Sequence, residues 1–195
     1  MIEDFSKPDF WNKHYIEGDT PWDCHGVTRR LLSFLENSDS RGRVLIPGCG
    51  SGCEVKAFLD FGFDVLAIDF AEAAVDRARR LLGAESRRVV QADFFSHDFE
   101  GRQFDLIYER TFLTALPPER REDYARIMAA RLPSGARLIG YFFHGPEEDP
   151  PPYPISEAEA RDLLEENFSL VNNEPVLDSL PLFEGKERWM EWRRR

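Results

Sequence analysis

The sequence predicts an α/β fold of five mostly parallel strands with helices on both faces of the sheet, followed by an antiparallel hairpin. Two observations support this prediction. Short apolar runs alternate with amphipathic runs along the chain, as in domains built on a largely parallel sheet. In addition, a glycine-rich segment joins the first apolar run to the helix after it, and a carboxylate ends the next run. Nucleoside-binding α/β sheets have this arrangement.

Five apolar runs are the predicted strands of the parallel part of the sheet. Short strands without polar alternation suit burial on both faces. In chain order they are residues 44–46, 65–68, 88–92, 104–108 and 137–143.

Helices are predicted between the strands. Apolar residues from Ala71 to Leu82 recur on one helical face. A second helix opens at Pro117, because proline is favoured at the first helical position. Ser156 and Glu159 form a capping box that starts a third helix, running towards residue 167.

The last part of the chain has a different character. Residues 168–175 and 187–194 are strand-like runs without a helix between them, and they are expected to pair antiparallel at a sheet edge. Residues 145–152, rich in proline, are expected to form a loop with Glu147, Glu148 and Asp149 in solvent. The strands beyond this loop are too few for a separate core, so residues 1–195 are predicted to form one domain.

Composition excludes several function classes. A net charge of −11 opposes nucleic acid and anionic membranes. No apolar run approaches the ~20 residues that cross a bilayer, and acids stand where a secretory signal would be basic. Cys24, Cys49 and Cys53 are too few for a disulfide framework or a zinc site, and the four histidines are scattered. We expect a monomeric, cytoplasmic protein without metal, membrane or nucleic-acid partners.

The glycine-rich segment carries the strongest signal for a ligand. Gly48, Gly50 and Gly52 alternate between a strand and a helix, which allows a tight turn and a close approach of ligand to backbone. Asp69 ends the next strand 17 residues later. A carboxylate at that strand tip can accept hydrogen bonds from a ribose diol. A dinucleotide fingerprint would need a further glycine where Cys53 stands, and a dehydrogenase would need a separate substrate domain.

The alternating glycines, Asp69 and the Ala92-Asp93-Phe94 segment resemble class I S-adenosylmethionine-dependent methyltransferases. That resemblance implies a Rossmann-like, seven-stranded, mostly parallel sheet with a terminal antiparallel hairpin. It also implies that Asp69 holds the ribose, that Asp93 and Phe94 contact the adenine, and that Gly48, Cys49 and Gly50 contact the cofactor.

The sequence more narrowly resembles the thiopurine S-methyltransferase family, including its thiol and halide methyltransferase branch. Pro47, in a region where the wider class usually has an acid, is a feature of this family. The stretches that carry the resemblance are residues 10–15 with 18–23, 47–50, 104–111, 145–156 and 185–188.

The family resemblance gives roles to an aromatic amino-terminal segment, residues 1–25, and to one arginine. Trp11, Tyr15 and Trp22 are expected to close over the cofactor as a lid, since sulfonium cations are attracted to ring faces. Spacing alone favours the alternative that Phe10, Trp11 and Tyr15 dock a leading helix onto the core. Arg110, expected just after the fourth strand, would contact the cofactor or the acceptor, unless it merely pairs with Glu109.

The predicted function is methyl transfer from S-adenosylmethionine to a small sulfur nucleophile (thiol, thiopurine, sulfide or thiocyanate) or to halide. Alternatives are a small nitrogen or oxygen acceptor, or a non-catalytic nucleoside-binding module. Soft anions need alignment and desolvation more than a base, so no catalytic residue is assigned. A contact of His144 with the acceptor is a minor alternative, and replacing it is expected to leave the pH profile unchanged in shape.

Overall fold

The computed structural model describes residues 5–145 and 151–195 of the chain. Seven strands form one sheet, and they are β1 (Arg43–Pro47), β2 (Asp64–Asp69), β3 (Val89–Gln91), β4 (Leu106–Arg110), β5 (Arg137–Phe143), β6 (Phe168–Pro175) and β7 (Glu187–Arg194). The strand order is β3-β2-β1-β4-β5-β7-β6. Parallel pairs join β1 to β2, β2 to β3 and β4 to β5, whereas β7 pairs antiparallel with both β5 and β6. The predicted sheet, including its antiparallel end, is therefore confirmed.

Helices connect the strands. They are α1 (Pro8–Glu17), α2 (Arg29–Glu36), α3 (Cys53–Asp60), α4 (Glu72–Leu82), α5 (Phe112–Ala115), α6 (Arg121–Arg131) and α7 (Glu157–Leu164). Short 3-10 turns cover Gly83–Arg88, Pro118–Arg120 and Pro181–Phe183. None of the helices among the described residues has the length and apolar character that a membrane crossing requires. The chain divides into two compact units, one ending at His97 and the other starting at Asp98.

In the amino-terminal unit, the core is built from β1, β2 and the helices that follow them. Ala74, Val75 and Ala78 form the buried face of α4. A Cβ at Gly52 would lie 2.8 Å from the Cβ of Ala78. Only glycine therefore permits this close packing of α4 on the glycine-rich loop.

In the carboxyl-terminal unit, β5 lies between β4 and β7. Trp189 and Trp192 of β7 are fully buried in the core. Gly140 of β5 has φ 148, and a Cβ there would meet the carbonyl oxygen of Glu109. Glycine at position 140 thus allows β5 to lie directly against β4 at the strand end that carries Glu109.

The strand β6 is an edge of the sheet. Its pairing with β7 shifts register between Leu170 and Asn172, and the intervening Val171 is half exposed. The strand ends at Pro175, which has no backbone N–H.

Several boundaries differ from the sequence-based predictions, among them those of the third and fourth strands and of one helix. The fourth strand starts at Leu106, because the backbone N–H of Phe104 donates to the carbonyl of Arg131 in α6 and not to a neighbouring strand. At its other end, β4 extends to Arg110, which pairs with Tyr141 of β5, so Arg110 is the last residue of the strand and does not follow it. The third strand has three residues, since Arg88 ends a 3-10 turn. The helix expected at Pro117 begins as the turn Pro118–Arg120 and becomes α-helical at Arg121.

The capping box predicted at Ser156 is confirmed, with both reciprocal hydrogen bonds to Glu159 present. The predicted solvated acids Glu147, Glu148 and Asp149 lie outside the described residues.

Candidate active site

The glycine-rich loop after β1 is fixed by the carboxylate that ends β2. Gly48 and Gly50 have φ values of 59 and 52, a backbone region that favours glycine. The N–H of Gly50 donates to Oδ2 of Asp69 at 2.9 Å, and the N–H of Ala71 donates to Oδ1 at 2.9 Å. Asp69 thus joins the loop to the start of α4, at the edge where ligands bind open α/β sheets.

Burial and hydrogen bonding shift the pKa of Asp69 in opposite directions. Removal from water raises the pKa of its carboxyl, while backbone hydrogen bonds, those of Ala71 and Gly50 first, lower it. Its side chain stays 8% exposed. A carboxylate has about four acceptor sites, so Asp69 retains capacity for donors from a ligand, such as ribose hydroxyls.

The aromatic residues expected in the lid form a cluster. The ring of Trp22 lies 5.3 Å from that of Trp11 and 6.2 Å from that of Tyr15, both edge-on. The indole N–H of Trp22 donates to the Tyr15 hydroxyl at 3.4 Å, and that of Trp11 donates to the carbonyl of Phe5. Trp11 and Trp22 remain partly exposed, whereas Tyr15 is buried.

Tyr15 connects this aromatic cluster to the glycine-rich loop. A Cβ at Gly50 would lie 2.6 Å from the Tyr15 hydroxyl, so the ring occupies the space that a side chain would need. Burial raises the pKa of Tyr15 well above its usual value, and the charge of Asp69 adds to the effect. The phenol is therefore neutral and close to the carboxylate.

Helix α1 is held against α4 by two polar contacts. Oδ1 of Asn12 accepts a hydrogen bond from the N–H of Ala73 at 2.9 Å, near the start of α4. The guanidinium of Arg77 donates to the carbonyl of Tyr15 and lies 5.6 Å from the centre of its ring. Tyr15 thus docks the leading helix, as spacing alone favoured, while the two tryptophans leave ring surface accessible.

A contact that sequence reasoning missed ties the end of the aromatic segment to the glycine-rich loop. The hydroxyl of Ser51 donates to Oδ2 of Asp23 at 2.6 Å, and the N–H of His25 donates to Oδ1 at 2.7 Å. Ser51 and Asp23 are 28 residues apart in sequence. No periodicity or local spacing signals a pair at that separation.

Cys49, Asp93 and Phe94 have mainly structural contacts. Cys49 is buried and its pKa is raised by desolvation, so the thiol is neutral and packs as a small residue. Phe94 is buried, with its ring edge-on to that of Phe95. Asp93 is exposed and accepts the N–H of Phe95 at 2.9 Å, which shapes the turn after β3.

In the carboxyl-terminal unit, Arg110 ends β4 and is buried. Its guanidinium lies 3.7 Å from Oε1 of Glu187 and 4.5 Å from the ring centre of Tyr141. The alternative pairing with Glu109 was wrong, because neighbouring residues on a strand point to opposite faces. Desolvation raises the pKa of Glu187, and Arg110 lowers it.

Glu109 is buried and bonded to the chain just after it. Its Oε1 accepts the N–H groups of Phe112 and Leu113 at 2.8 and 3.0 Å, and its Oε2 accepts the hydroxyl of Tyr124 at 2.9 Å. Burial raises the pKa of Glu109 to about 7. Sequence reasoning treated this residue only as a possible partner of Arg110.

The residues present fit S-adenosylmethionine. Asp69 offers acceptor oxygens to a ribose, Gly48 and Gly50 leave the backbone open, and the aromatic cluster offers ring faces to a sulfonium. Moreover, the buried hydroxyl of Thr20 has no hydrogen-bond partner among the described residues. A buried polar atom of this kind is ordinarily satisfied by a ligand or water.

The strand order, the antiparallel end of the sheet and this loop define a class I S-adenosylmethionine-dependent methyltransferase. A solved structure shows the same fold: the 1,6-didemethyltoxoflavin-N1-methyltransferase of Burkholderia thailandensis, with S-adenosylhomocysteine bound. It is 22% identical, covers 96% of this chain and 86% of its own, and superimposes with a TM-score of 0.79.

The chain belongs to the thiopurine S-methyltransferase family, whose family model matches residues 6–195. It is 32% identical over 189 residues to a probable thiol methyltransferase 2 of Arabidopsis thaliana, covering 92% of this chain and 83% of the relative. Thiocyanate methyltransferase 1 of Brassica oleracea is 29% identical over 191 residues, covering 94% and 84%. The expectation of an enzyme that uses S-adenosylmethionine is confirmed.

Proposed function

We propose that this enzyme transfers a methyl group from S-adenosylmethionine to a small sulfur nucleophile or to halide. Membership of the family carries this proposal. Its curated relatives are named for thiol, thiocyanate and thiopurine methylation in plants and bacteria. These acceptors share a polarisable sulfur that reacts well as an anion.

The cofactor is proposed to lie along the glycine-rich loop. Gly48, Cys49 and Gly50 would approach it with their backbone, since the positive φ of both glycines exposes main-chain atoms there. Asp69 would accept hydrogen bonds from the ribose hydroxyls.

Two residues after β3 are proposed to border the adenine. The exposed carboxylate of Asp93 is available to an amino group, and the neighbouring Phe94 is a buried apolar residue of the same turn.

The aromatic segment 1–25 is proposed to cover the reacting sulfonium. The faces of Trp11, Tyr15 and Trp22 attract a cation, and their bulk excludes water. Arg110 is proposed to orient a carboxylate of the cofactor or an anionic acceptor. Its contact with Glu187 supports this role, because a neighbouring carboxylate at 3.7 Å helps to hold the guanidinium in place.

Bound S-adenosylmethionine supplies a methyl group already activated by the positive sulfur. The chain then needs to align the acceptor with that methyl group and to remove water from it. An anionic acceptor such as thiocyanate needs no proton transfer. Thiols, in contrast, must lose a proton before or during attack.

Purified enzyme with labelled S-adenosylmethionine tests the proposal. Thiocyanate, sulfide, iodide, aliphatic thiols and thiopurines are offered separately, with amines and phenols as comparison acceptors. We expect label in at least one sulfur or halide product and S-adenosylhomocysteine in equal amount. Label confined to nitrogen or oxygen products would contradict it. We also propose that the enzyme is monomeric and cytoplasmic and that its acceptor is a small molecule. Sedimentation of the purified chain tests the monomeric state.

A further inference from the structure

The end of the aromatic segment 1–25 is attached to the glycine-rich loop through one carboxylate. Oδ2 of Asp23 accepts the hydroxyl of Ser51 at 2.6 Å, and its Oδ1 accepts the N–H of His25 at 2.7 Å. The N–H of Asp23 itself donates to the carbonyl of Thr20 at 2.9 Å. Only 8% of the Asp23 side chain is exposed, so water competes little for these bonds. Asp23 therefore both shapes the local turn and joins it to the loop.

Ser51 lies between two glycines that have definite contacts of their own. Gly50 has φ 52 and donates to Asp69, while Gly52 has φ 83 and packs closely on Ala78. The hydroxyl of Ser51 thus comes from a loop that is bonded to the end of β2 and packed on α4. All of these residues belong to the amino-terminal unit, as does the aromatic cluster.

Trp22 is the residue of the aromatic cluster that lies next to this contact. It directly precedes Asp23 in the chain, and its ring is partly exposed. Its indole N–H reaches the Tyr15 hydroxyl at 3.4 Å, which is long for such a hydrogen bond. A short bond to a carboxylate is stronger than a long bond between neutral groups. The bond from Ser51 to the adjacent residue is therefore the stronger polar restraint on the position of Trp22.

The first part of the aromatic segment is attached by a separate contact. Helix α4 begins after Ala71, whose side chain offers no cap. Oδ1 of Asn12, in α1, accepts the N–H of Ala73 at 2.9 Å and so takes the place of that cap. Loss of the contact between the turn and the glycine-rich loop is therefore expected to displace Trp22 while α1 stays docked.

We propose that Asp23 and Ser51 are positioning residues for the methyl-transfer site. Their hydrogen bond fixes the Trp22 ring beside the glycine-rich loop, where the proposed function places the cofactor. Held there, the ring offers a face to the positive sulfur and keeps water from it. Neither Asp23 nor Ser51 touches the reacting atoms, so both act through Trp22. The inference rests on the proposed function, from which it takes the position of the cofactor.

The variant Ser51→Ala tests this role with a charged and a neutral ligand. S-adenosylmethionine carries the positive sulfur and S-adenosylhomocysteine does not, and calorimetry gives the dissociation constant of each. We expect the variant to weaken S-adenosylmethionine binding about tenfold and S-adenosylhomocysteine binding less than about threefold, because a displaced ring no longer attracts the cation. Asp23→Ala should show the same pattern. Ser51→Thr keeps the hydroxyl and should bind both ligands within about twofold of the wild type.

A second substitution shows whether Trp22 carries the effect. In the Trp22→Ala background, Ser51→Ala should change S-adenosylmethionine binding less than about twofold, since the ring that Ser51 helps to position is already gone. Ser38→Ala is the matched control, because its hydroxyl donates to the carbonyl of Phe34 at 2.7 Å and not to the aromatic segment. The control should leave the binding of both ligands unchanged.

Three results would overturn this inference. An equal loss for the two ligands would mean that Ser51 acts on the loop itself, and so would a loss that persists in the Trp22→Ala background. Unchanged binding in Ser51→Ala would remove the positioning role altogether. In each case wild-type turnover of thiocyanate would leave the proposed function standing. A wild-type enzyme that binds S-adenosylmethionine but methylates no sulfur or halide acceptor would reject the proposed function without changing these binding results.

Discussion

Two buried carboxylates lie at the carboxyl ends of parallel strands, and their hydrogen-bond partners differ: Asp69 is the last residue of β2, and Glu109 is the residue before the last of β4. Asp69 accepts backbone N–H groups from Gly50 in the glycine-rich loop and from Ala71, whereas Glu109 accepts two backbone N–H groups just after β4 and the side-chain hydroxyl of Tyr124. Asp69 keeps 8% of its surface exposed and Glu109 only 1%. Burial raises the pKa of both.

The difference shows that a carboxylate at a strand tip is not by itself a ligand site. Glu109 accepts three hydrogen bonds, one of them from the side chain of Tyr124, and is almost fully buried. Asp69 accepts its donors from backbone alone and lies beside a loop that turns on glycines. Both residues lie near the end of a strand, and the groups that surround them differ.

The largest expected effect is a difference in cofactor affinity between variants of the two carboxylates. Asp69→Ala should weaken S-adenosylhomocysteine binding by roughly ten- to a hundredfold, about 1.5–3 kcal/mol for lost hydrogen bonds to a charged group. Calorimetry of Glu109→Gln is the matched control and should show a change below about threefold. Similar losses in both variants would remove the distinction between the two sites.

The second effect is a pH dependence of stability. Glu109 has a folded pKa of about 7 against 4.5 for the ordinary group, so the folded state binds more protons between these values. The free energy of unfolding therefore falls as pH rises through this window, by on the order of 2–3 kcal/mol from this group. Glu109→Gln, which can keep both backbone bonds, should flatten the fall in thermal melts from pH 4.5 to 7.5. An unchanged slope would contradict the assignment.

A third prediction concerns the glycine-rich loop beside Asp69, where Tyr15 fills the space next to Gly50. Gly50→Ala should lower the free energy of unfolding by about 2 kcal/mol, from a positive φ and a clash with the Tyr15 hydroxyl. Adding Tyr15→Phe removes the clashing oxygen. The nearest remaining ring atom, Cζ, then lies 3.7 Å from the Cβ at position 50, which is an ordinary van der Waals contact. Denaturant titration should then recover about 1 kcal/mol. Additive losses would mean that the two residues are independent.

The smallest effect concerns the hydroxyl that closes the Glu109 site. Tyr124→Phe leaves Oε2 of Glu109 without its side-chain donor. We expect a loss of about 1 kcal/mol at pH 8, where Glu109 is ionised, and a smaller loss at pH 5. Tyr153→Phe serves as the control in the same melts. An equal loss at both pH values would argue against a bond to the ionised carboxylate.

Most of the fold could be predicted because its strands are apolar and its helix signals are local. The capping box at Ser156 and the apolar stripe of α4 depend only on neighbouring residues. The start of β4 could not be placed so well, since Phe104 is as apolar as a strand residue but pairs with the end of α6. Apolar character cannot distinguish those two partners.

The part of the site that could be predicted is the glycine-rich loop, because its glycines and the acid at the end of the next strand indicate the backbone conformation there. Gly50 and Asp69 are indeed hydrogen-bonded to each other. The pair of Asp23 and Ser51 was not predictable, because the two residues lie 28 positions apart in sequence. Contacts between side chains that are far apart in sequence produce no periodic pattern in one sequence.

The two edges of the sheet bear on how the protein behaves at high concentration. An exposed edge strand can recruit a strand of another molecule through its unpaired backbone groups. On β6, the shifted register beside Val171 breaks the regular row of these groups, and Pro175 removes a donor at its end. The opposite edge, β3, offers only three residues. Neither edge provides the long, regular template on which sheet-to-sheet aggregation grows.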